Sequence, residues 1–196
     1  MKTLARYALS IGASAALLVG CGESQPPVGA PAFVAPSGTY TQKNSGRSAG
    51  RLSTTVHYLY VTNGGSANVS AFAINASSGA LTHVEGSPFA ARSRPIGEAI
   101  DPTGAFMYVA NGNSNDVSAY AINAGTGALT QVQGQPFAAG SYPWQVAINP
   151  TGMFVYVANG DSNDVSAYAI NASSGALTQV QGSPFEAGSE PSGVAI

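Results

Sequence analysis

Tyr60-Val61-Thr62-Asn63 recurs 48 residues on as Tyr108-Val109-Ala110-Asn111, and 48 further on as Tyr156-Val157-Ala158-Asn159. The repetition extends well beyond these tetrads: residues 108–148 and 156–196 differ at only eight of 41 positions. Identity at that level marks tandem duplication, and a fixed period of roughly 20–50 residues is the signature of a repeat architecture. Within one unit, four short β-prone runs alternate with turn residues. The runs are Trp144 to Ile148, Met153 to Ala158, Val165 to Ile170 and Leu177 to Gln181. Between them lie Asn149-Pro150-Thr151-Gly152, the polar stretch 159–164 and Ser173-Ser174-Gly175, and Gly182-Ser183-Pro184 follows the last. Four strands in about 40–50 residues make one propeller blade, whereas β-solenoid repeats are shorter. The second run is apolar on both faces, which suits a strand sandwiched between neighbouring blades. The expected fold class is all-β: a β-propeller with four-stranded blades, about three of them present as a partial ring.

Working outward, the first unit begins near Val56 at its second strand, without a first. Complete units begin near Pro95 and Pro143, and a fourth opens at Pro191, just before the last residue, Ile196. Propellers close with about 4–8 blades, and an uncovered blade face invites aggregation. The expectation is a truncated form of a longer protein. Remaining blades, or other copies of the chain, are then needed to close the ring.

Residues 1–21 have the parts of an export signal: Lys2 and Arg6, an apolar stretch from Tyr7 to Val19, and small residues to close. The stretch is too short to span a membrane, which takes about 20 apolar residues. Leu18-Val19-Gly20-Cys21 resembles the lipobox of bacterial lipoproteins, implying cleavage before Cys21 and acylation there. Gly22 rather than Asp implies sorting to the outer membrane. Residues 22–54, rich in Pro, Gly, Ser and Thr, read as a flexible tether. The division is 1–21 signal peptide, 22–54 tether and 55–196 partial propeller. The expected location is the cell envelope, with membrane attachment through the lipid alone.

Composition narrows the chemistry. Charged residues are 8% of the chain and the formal net charge is -2, with no basic run, so no nucleic-acid partner is expected. Cys21 is the only cysteine, so no internal disulfide can form. The two histidines, His57 and His83, make no local metal motif. The loops 111–116 and 159–164 place oxygens at alternate positions, as calcium ligands do, yet they lack a distal bidentate Glu. Asn, Asp and Gly are ordinary turn chemistry there, and neither a metal nor a cofactor is expected.

The unit Tyr-Val-Ala-Asn-Gly, Val-Ser-Ala-Tyr-Ala-Ile-Asn, Gly-Ala-Leu-Thr, Gly-Ser-Pro-Phe and Pro-x-x-Val-Ala-Ile resembles the YVTN repeat of the seven-bladed β-propeller lactonase family. That family includes 6-phosphogluconolactonase-like proteins and muconate-lactonizing enzymes. The resemblance spans about 56–196. It implies a ring closed by a late strand that completes the first blade, and hydrolysis of a sugar or organic-acid lactone without cofactor. It also implies working His and Arg residues on channel segments. Here those places hold Ile96, Trp144 and Ser192, so the resemblance implies catalytic residues in further blades. Export argues against a phosphorylated cytosolic lactone as substrate.

The copies within the chain supply their own comparison. Positions shared by all units solve a common packing problem, whereas positions that differ are free for other work. The differences gather where each first strand begins. Arg92, Arg94, Ile96, Gly97 and Glu98 correspond to Gly140, Tyr142, Trp144, Gln145 and Val146, then to Gly188, Glu190, Ser192, Gly193 and Val194. In propellers the first strand lines the channel and the segment leading into it rims one mouth. Arg92, Arg94, Glu98, Tyr142, Trp144, Gln145 and Glu190 are therefore the ligand-facing candidates. Arginine grips carboxylates, Trp and Tyr offer stacking faces, and Glu can act as a base. The alternative is drift among exposed residues after duplication. The expected partner is a small-molecule lactone or a carbohydrate. A non-catalytic cell-surface binding or scaffold propeller is the rival function, favoured by the regularity of the blades.

Overall fold

A computed structural model describes residues 56–196, so the signal-like segment, Cys21 and the whole of the tether lie outside the described residues. Every regular element described is a strand. The first sheet holds β1 (His57–Asn63), β2 (Asn68–Ile74), β3 (Leu81–His83) and β4 (Phe89–Ala90). The second holds β5 (Pro95–Ile100), β6 (Phe106–Asn111), β7 (Asp116–Ile122), β8 (Leu129–Gln131) and β9 (Phe137–Ala138). The third repeats it with β10 (Pro143–Ile148), β11 (Phe154–Asn159), β12 (Asp164–Ile170), β13 (Leu177–Gln179) and β14 (Phe185–Glu186). Each full sheet runs in sequence order as an antiparallel meander, β5-β6-β7-β8 and β10-β11-β12-β13. These are propeller blades, and the all-β reading holds.

The fourth strand of each blade differs from expectation, because it is broken in two. β8 pairs with the far end of β7 at Tyr120–Ile122, and β9 pairs with its near end at Asp116–Val117. Between them the chain turns at a cis Gln135-Pro136 peptide. Ala119 N–H, left without a ladder partner, is taken by the Gln135 side-chain oxygen at 3.0 Å. Ser87 Oγ and Ser183 Oγ do the same for Ala71 N–H and Ala167 N–H at 2.9 Å. A buried N–H must find an acceptor, so this break is itself part of the repeat. Residues 191–196 form no strand: an opening strand needs an antiparallel neighbour, and none is present for it among the described residues.

Burial follows position in the blade. In β6, Met107, Tyr108, Val109, Ala110 and Asn111 are all fully buried, as a strand covered on both faces should be. Tyr108 donates from its hydroxyl to the Gly175 carbonyl of the next blade at 2.9 Å, and Tyr60 does the same to Gly127 at 2.8 Å. Running the other way, Tyr120 donates to the Ala90 carbonyl at 2.8 Å, and Tyr168 to that of Ala138. Gly127 and Gly175 take positive φ, 74° each, and lie under the rings of Tyr58 and Phe106 respectively. Only glycine combines that backbone with so close an approach. Apolar packing and tyrosine hydroxyls together fix how one blade sits on the next.

Candidate functional site

β5 and β10 lie side by side: a Cβ at Gly97 would come within 2.7 Å of Gln145 Cα. Both strands are interrupted near their start, β5 between Pro95 and Glu98 and β10 between Pro143 and Gln145. A bulge releases residues from the ladder and re-aims them, and it is here that Ile96, Gly97 and Trp144 escape strand pairing. The residue just before Pro95, Pro143 and Pro191, that is Arg94, Tyr142 and Glu190, takes a left-handed backbone with φ of 59°, 55° and 52°. Outside glycine and asparagine such backbone is uncommon. Three equivalent residues with three unlike side chains share it.

The candidates divide into three groups. Glu98, Trp144 and Gln145 line one depression of about 390 Å³, together with Ile96, Gly97 and Ser192. Arg94 and Tyr142 flank it: the guanidinium lies 5.4 Å from the Tyr142 ring centroid, and that ring meets Trp144 edge-on at 5.2 Å. Arg92 belongs to the scaffold, since its Nε pairs with Asp116 Oδ2 at 3.3 Å. Glu190 is exposed, its backbone N–H held by Asn163 Oδ1 at 2.8 Å, and it lines no part of the depression. The structure therefore brings three of the seven candidates into one cleft and sets two more beside them. It puts Arg92 and Glu190 elsewhere.

Glu98 is the one ionisable group in the cleft. Burial pushes its carboxyl above the usual carboxylate range, and a hydrogen bond with Thr62 opposes that only in part. Thr62 Oγ1 lies 2.8 Å from the Ile96 carbonyl and 3.1 Å from Glu98 Oε2. A hydroxyl has one proton to give. Thr62 therefore donates to the Ile96 carbonyl or to the Glu98 carboxylate, but not to both at once. Thr62 was not among the candidates, yet its signal was present: the other two copies carry Ala110 and Ala158 at that place. Thr62 and Glu98, which touch, both depart from the repeat.

The histidines stand apart, as expected. His57 opens β1, and His83 in β3 packs on Phe72 with ring centroids 4.5 Å apart; both are exposed. Among the described residues no group of three His, Cys, Asp or Glu side chains could hold a metal. In the turns that resemble calcium loops, Asn111 Nδ2 donates to Asp116 Oδ1 at 2.8 Å and to Ser118 Oγ at 2.9 Å. The Asp is thus engaged in fixing the hairpin.

The repeated antiparallel sheets define a β-propeller protein, of which the described residues form a partial ring. More particularly, the chain belongs to the seven-bladed β-propeller lactonase family, whose sequence profile matches residues 32–141 and 133–194. No curated protein matches it in sequence. Among solved structures it is similar to a candidate 6-phosphogluconolactonase from Bacteroides fragilis, with 22% identity and a TM-score of 0.62, covering 69% of this chain and 37% of that one. It is also similar to the periplasmic gluconolactonase PpgL of Pseudomonas aeruginosa, with 25% identity and a TM-score of 0.61, covering 69% and 38%. The chain thus spans well under half the length of these relatives.

Proposed function

We propose that the protein is an exported, lipid-anchored lactonase that opens the cyclic ester of a sugar or organic acid in the Glu98–Trp144–Gln145 cleft. The observation that carries this reading is the carboxyl of Glu98, its proton affinity raised by burial, in a cleft walled by an aromatic ring and a carboxamide. A base with affinity shifted toward neutrality is suited to activating water. Ionised Glu98 takes a proton from water as its oxygen bonds to the lactone carbonyl carbon. The oxyanion formed is met by the N–H donors of the Gln145 carboxamide. The ring C–O bond then breaks, and the alkoxide recovers the proton from Glu98. No cofactor enters. The test is acid release from gluconolactone by the full chain: saturable turnover above the uncatalysed rate is expected, and a rate equal to the buffer blank refutes the reading.

Export is supported by the signal-like residues 1–21, and the P. aeruginosa neighbour is itself periplasmic. Acylation at Cys21 would hold the chain to the envelope, each buried methylene adding about 0.8 kcal/mol. Cys21→Ser is expected to move the protein from the membrane to the soluble fraction and abolish labelling by a fatty-acid probe; persistent labelling contradicts the assignment. The rival, a non-catalytic binding propeller, draws on one observation: both histidines are exposed and lie outside the cleft. Ligand binding without turnover in the acid-release assay would select it.

A further inference from the structure

Side chains alternate between the two faces of a strand, so Tyr58, Tyr60 and Thr62 share one face of β1. That face is turned to the second blade. The Tyr60 hydroxyl donates to the Gly127 carbonyl at 2.8 Å, and Thr62 Oγ1 reaches the Ile96 carbonyl at 2.8 Å and Glu98 Oε2 at 3.1 Å. Both partners of Thr62 belong to β5, one on either side of Gly97. The opposite face of β1, with Leu59 and Val61, takes no part.

The strand that Thr62 meets is set differently from its sister. In the third blade Gln145 pairs with Ala158, whereas the corresponding pair in the second blade, Gly97 with Ala110, is not made. β5 thus releases two residues from the ladder where β10 releases one. The difference falls where Thr62 stands: β10 is met instead by the second blade's Ala110, which has no hydroxyl to engage a released carbonyl. The freed residues are held on other sides as well. Ile96 Cδ1 lies so near Gly112 that a Cβ there would come within 2.7 Å, and Gly97 lies against the Trp144 carbonyl. Glu98 follows directly, so the set of this bulge fixes where its carboxyl points.

We propose that Thr62 is a positioning residue for Glu98: its hydroxyl holds the Ile96 carbonyl while Glu98 is protonated and turns to the carboxylate when Glu98 ionises. Treating Glu98 as a general base rests on the lactonase reading above; its coupling to Thr62 rests on the two distances alone. One hydroxyl proton serves one acceptor, and a hydrogen bond to a carboxylate is stronger than one to a neutral carbonyl. Ionisation therefore draws the proton to Oε2, fixes that oxygen and leaves Oε1 to act on water. No charged group competes. β1 faces Glu98 with Thr62, β6 pairs with it through Val109, and the cleft adds Trp144, Gln145 and Ser192, none of which titrates near neutrality. Burial raises the proton affinity of Glu98, and the Thr62 hydrogen bond opposes burial.

Carbon-13 NMR titration of the full chain labelled at its glutamate carboxyls, with Glu98→Gln to assign the signal, reads the Glu98 midpoint without reference to turnover. Thr62→Val and Thr62→Ala are expected to raise that midpoint by about one pH unit, because the hydrogen bond they remove favours the ionised acid. Thr62→Ser keeps the hydroxyl and should titrate as the parent does. Alanine is the residue both sister blades carry at this place, so the fold already accepts it. In acid release from gluconolactone, the acidic limb of the pH–rate profile should move upward with the NMR midpoint in the valine and alanine variants and stay in place in the serine variant. A side chain serving packing alone would not move the midpoint. An unchanged midpoint in both Thr62→Val and Thr62→Ala, or an equal displacement in Thr62→Ser, overturns the proposal and leaves the lactonase reading untouched. Midpoints that shift as expected in a protein without turnover remove the hydrolase and leave the Thr62–Glu98 coupling.

Discussion

Replacing Tyr108 by alanine is expected to destabilise the protein by about 4 kcal/mol, the cost typical of removing a buried aromatic side chain. Tyr108 is fully buried in β6 and packs in the core cluster that joins the second and third blades, beside Val117, Val155, Val157 and Leu177. Its hydroxyl also ties the blades through the Gly175 carbonyl. Burial, with the nearby Asp101 carboxylate, pushes its ionisation well above the ordinary tyrosine value, so the hydroxyl remains a donor. Small domains are stable by about 5–15 kcal/mol in all, so one such loss consumes a large fraction. For a domain of this size it corresponds to a fall of about 10–15 °C in the thermal midpoint. Tyr108→Phe separates the two contributions. The ring is kept, and only the hydrogen bond to a buried carbonyl is lost, at about 1–2 kcal/mol. Calorimetric melting of both variants provides the check. Equal, small effects would mean that blades two and three do not pack through β6.

Glu98→Gln is expected to lower gluconolactone turnover by about a thousandfold, within the range typical of losing a general base. The carboxamide has nearly the same shape and can still meet Thr62, so the cleft should keep its form. The pH dependence has a defined sign. Glu98 works as the carboxylate, so the rate should fall as pH drops through its raised pKa, above the ordinary carboxylate range. Stability runs the opposite way. Folded Glu98 holds its proton more tightly than the unfolded chain does, so deprotonation as pH rises from the ordinary to the raised value costs stability. Glu98→Gln removes that cost and should melt no lower than the parent at neutral pH. An inactive variant with undiminished stability is the expected pair of results. Full activity in Glu98→Gln would move the base elsewhere.

Much of the fold was legible because duplication wrote the same solution three times. The 48-residue spacing gave blade length, and the apolar second run correctly marked the strand covered on both faces, Met107 to Asn111. The broken fourth strand was not legible. Phe137 and Ala138 form a two-residue pairing beyond a cis-proline turn, and so short a ladder depends on what β7 offers rather than on local propensity. The opening strand at Pro191 failed for a related reason, since a strand is a property of a pair. Divergence among the copies pointed to the start of the inner strands, and Glu98, Trp144 and Gln145 do meet there.

Divergence alone could not sort the candidates further. Arg92 departs from Gly140 and Gly188 as sharply as Glu98 departs from Val146 and Val194, yet it is bound to Asp116. Which atom meets which is decided by the bulges that turn 96–97 and 144 out of the ladder, and a bulge leaves little trace in composition. One informative departure, Thr62, lies in the preceding blade, next in space to Glu98 some thirty positions further along the chain. Reading it needs the radial packing of one blade on the next.

Trp144 is the only tryptophan in the chain, so its emission reports on the cleft without interference. Titration with the ring-amide analogue of gluconolactone, which cannot be opened readily, is the most direct examination of where the ligand sits. A saturable change in Trp144 emission, with a midpoint matching the concentration that inhibits turnover, is the result expected of a lactone seated between Glu98, Trp144 and Gln145. Inhibition of turnover with Trp144 emission unchanged would place the reaction somewhere else and contradict the account.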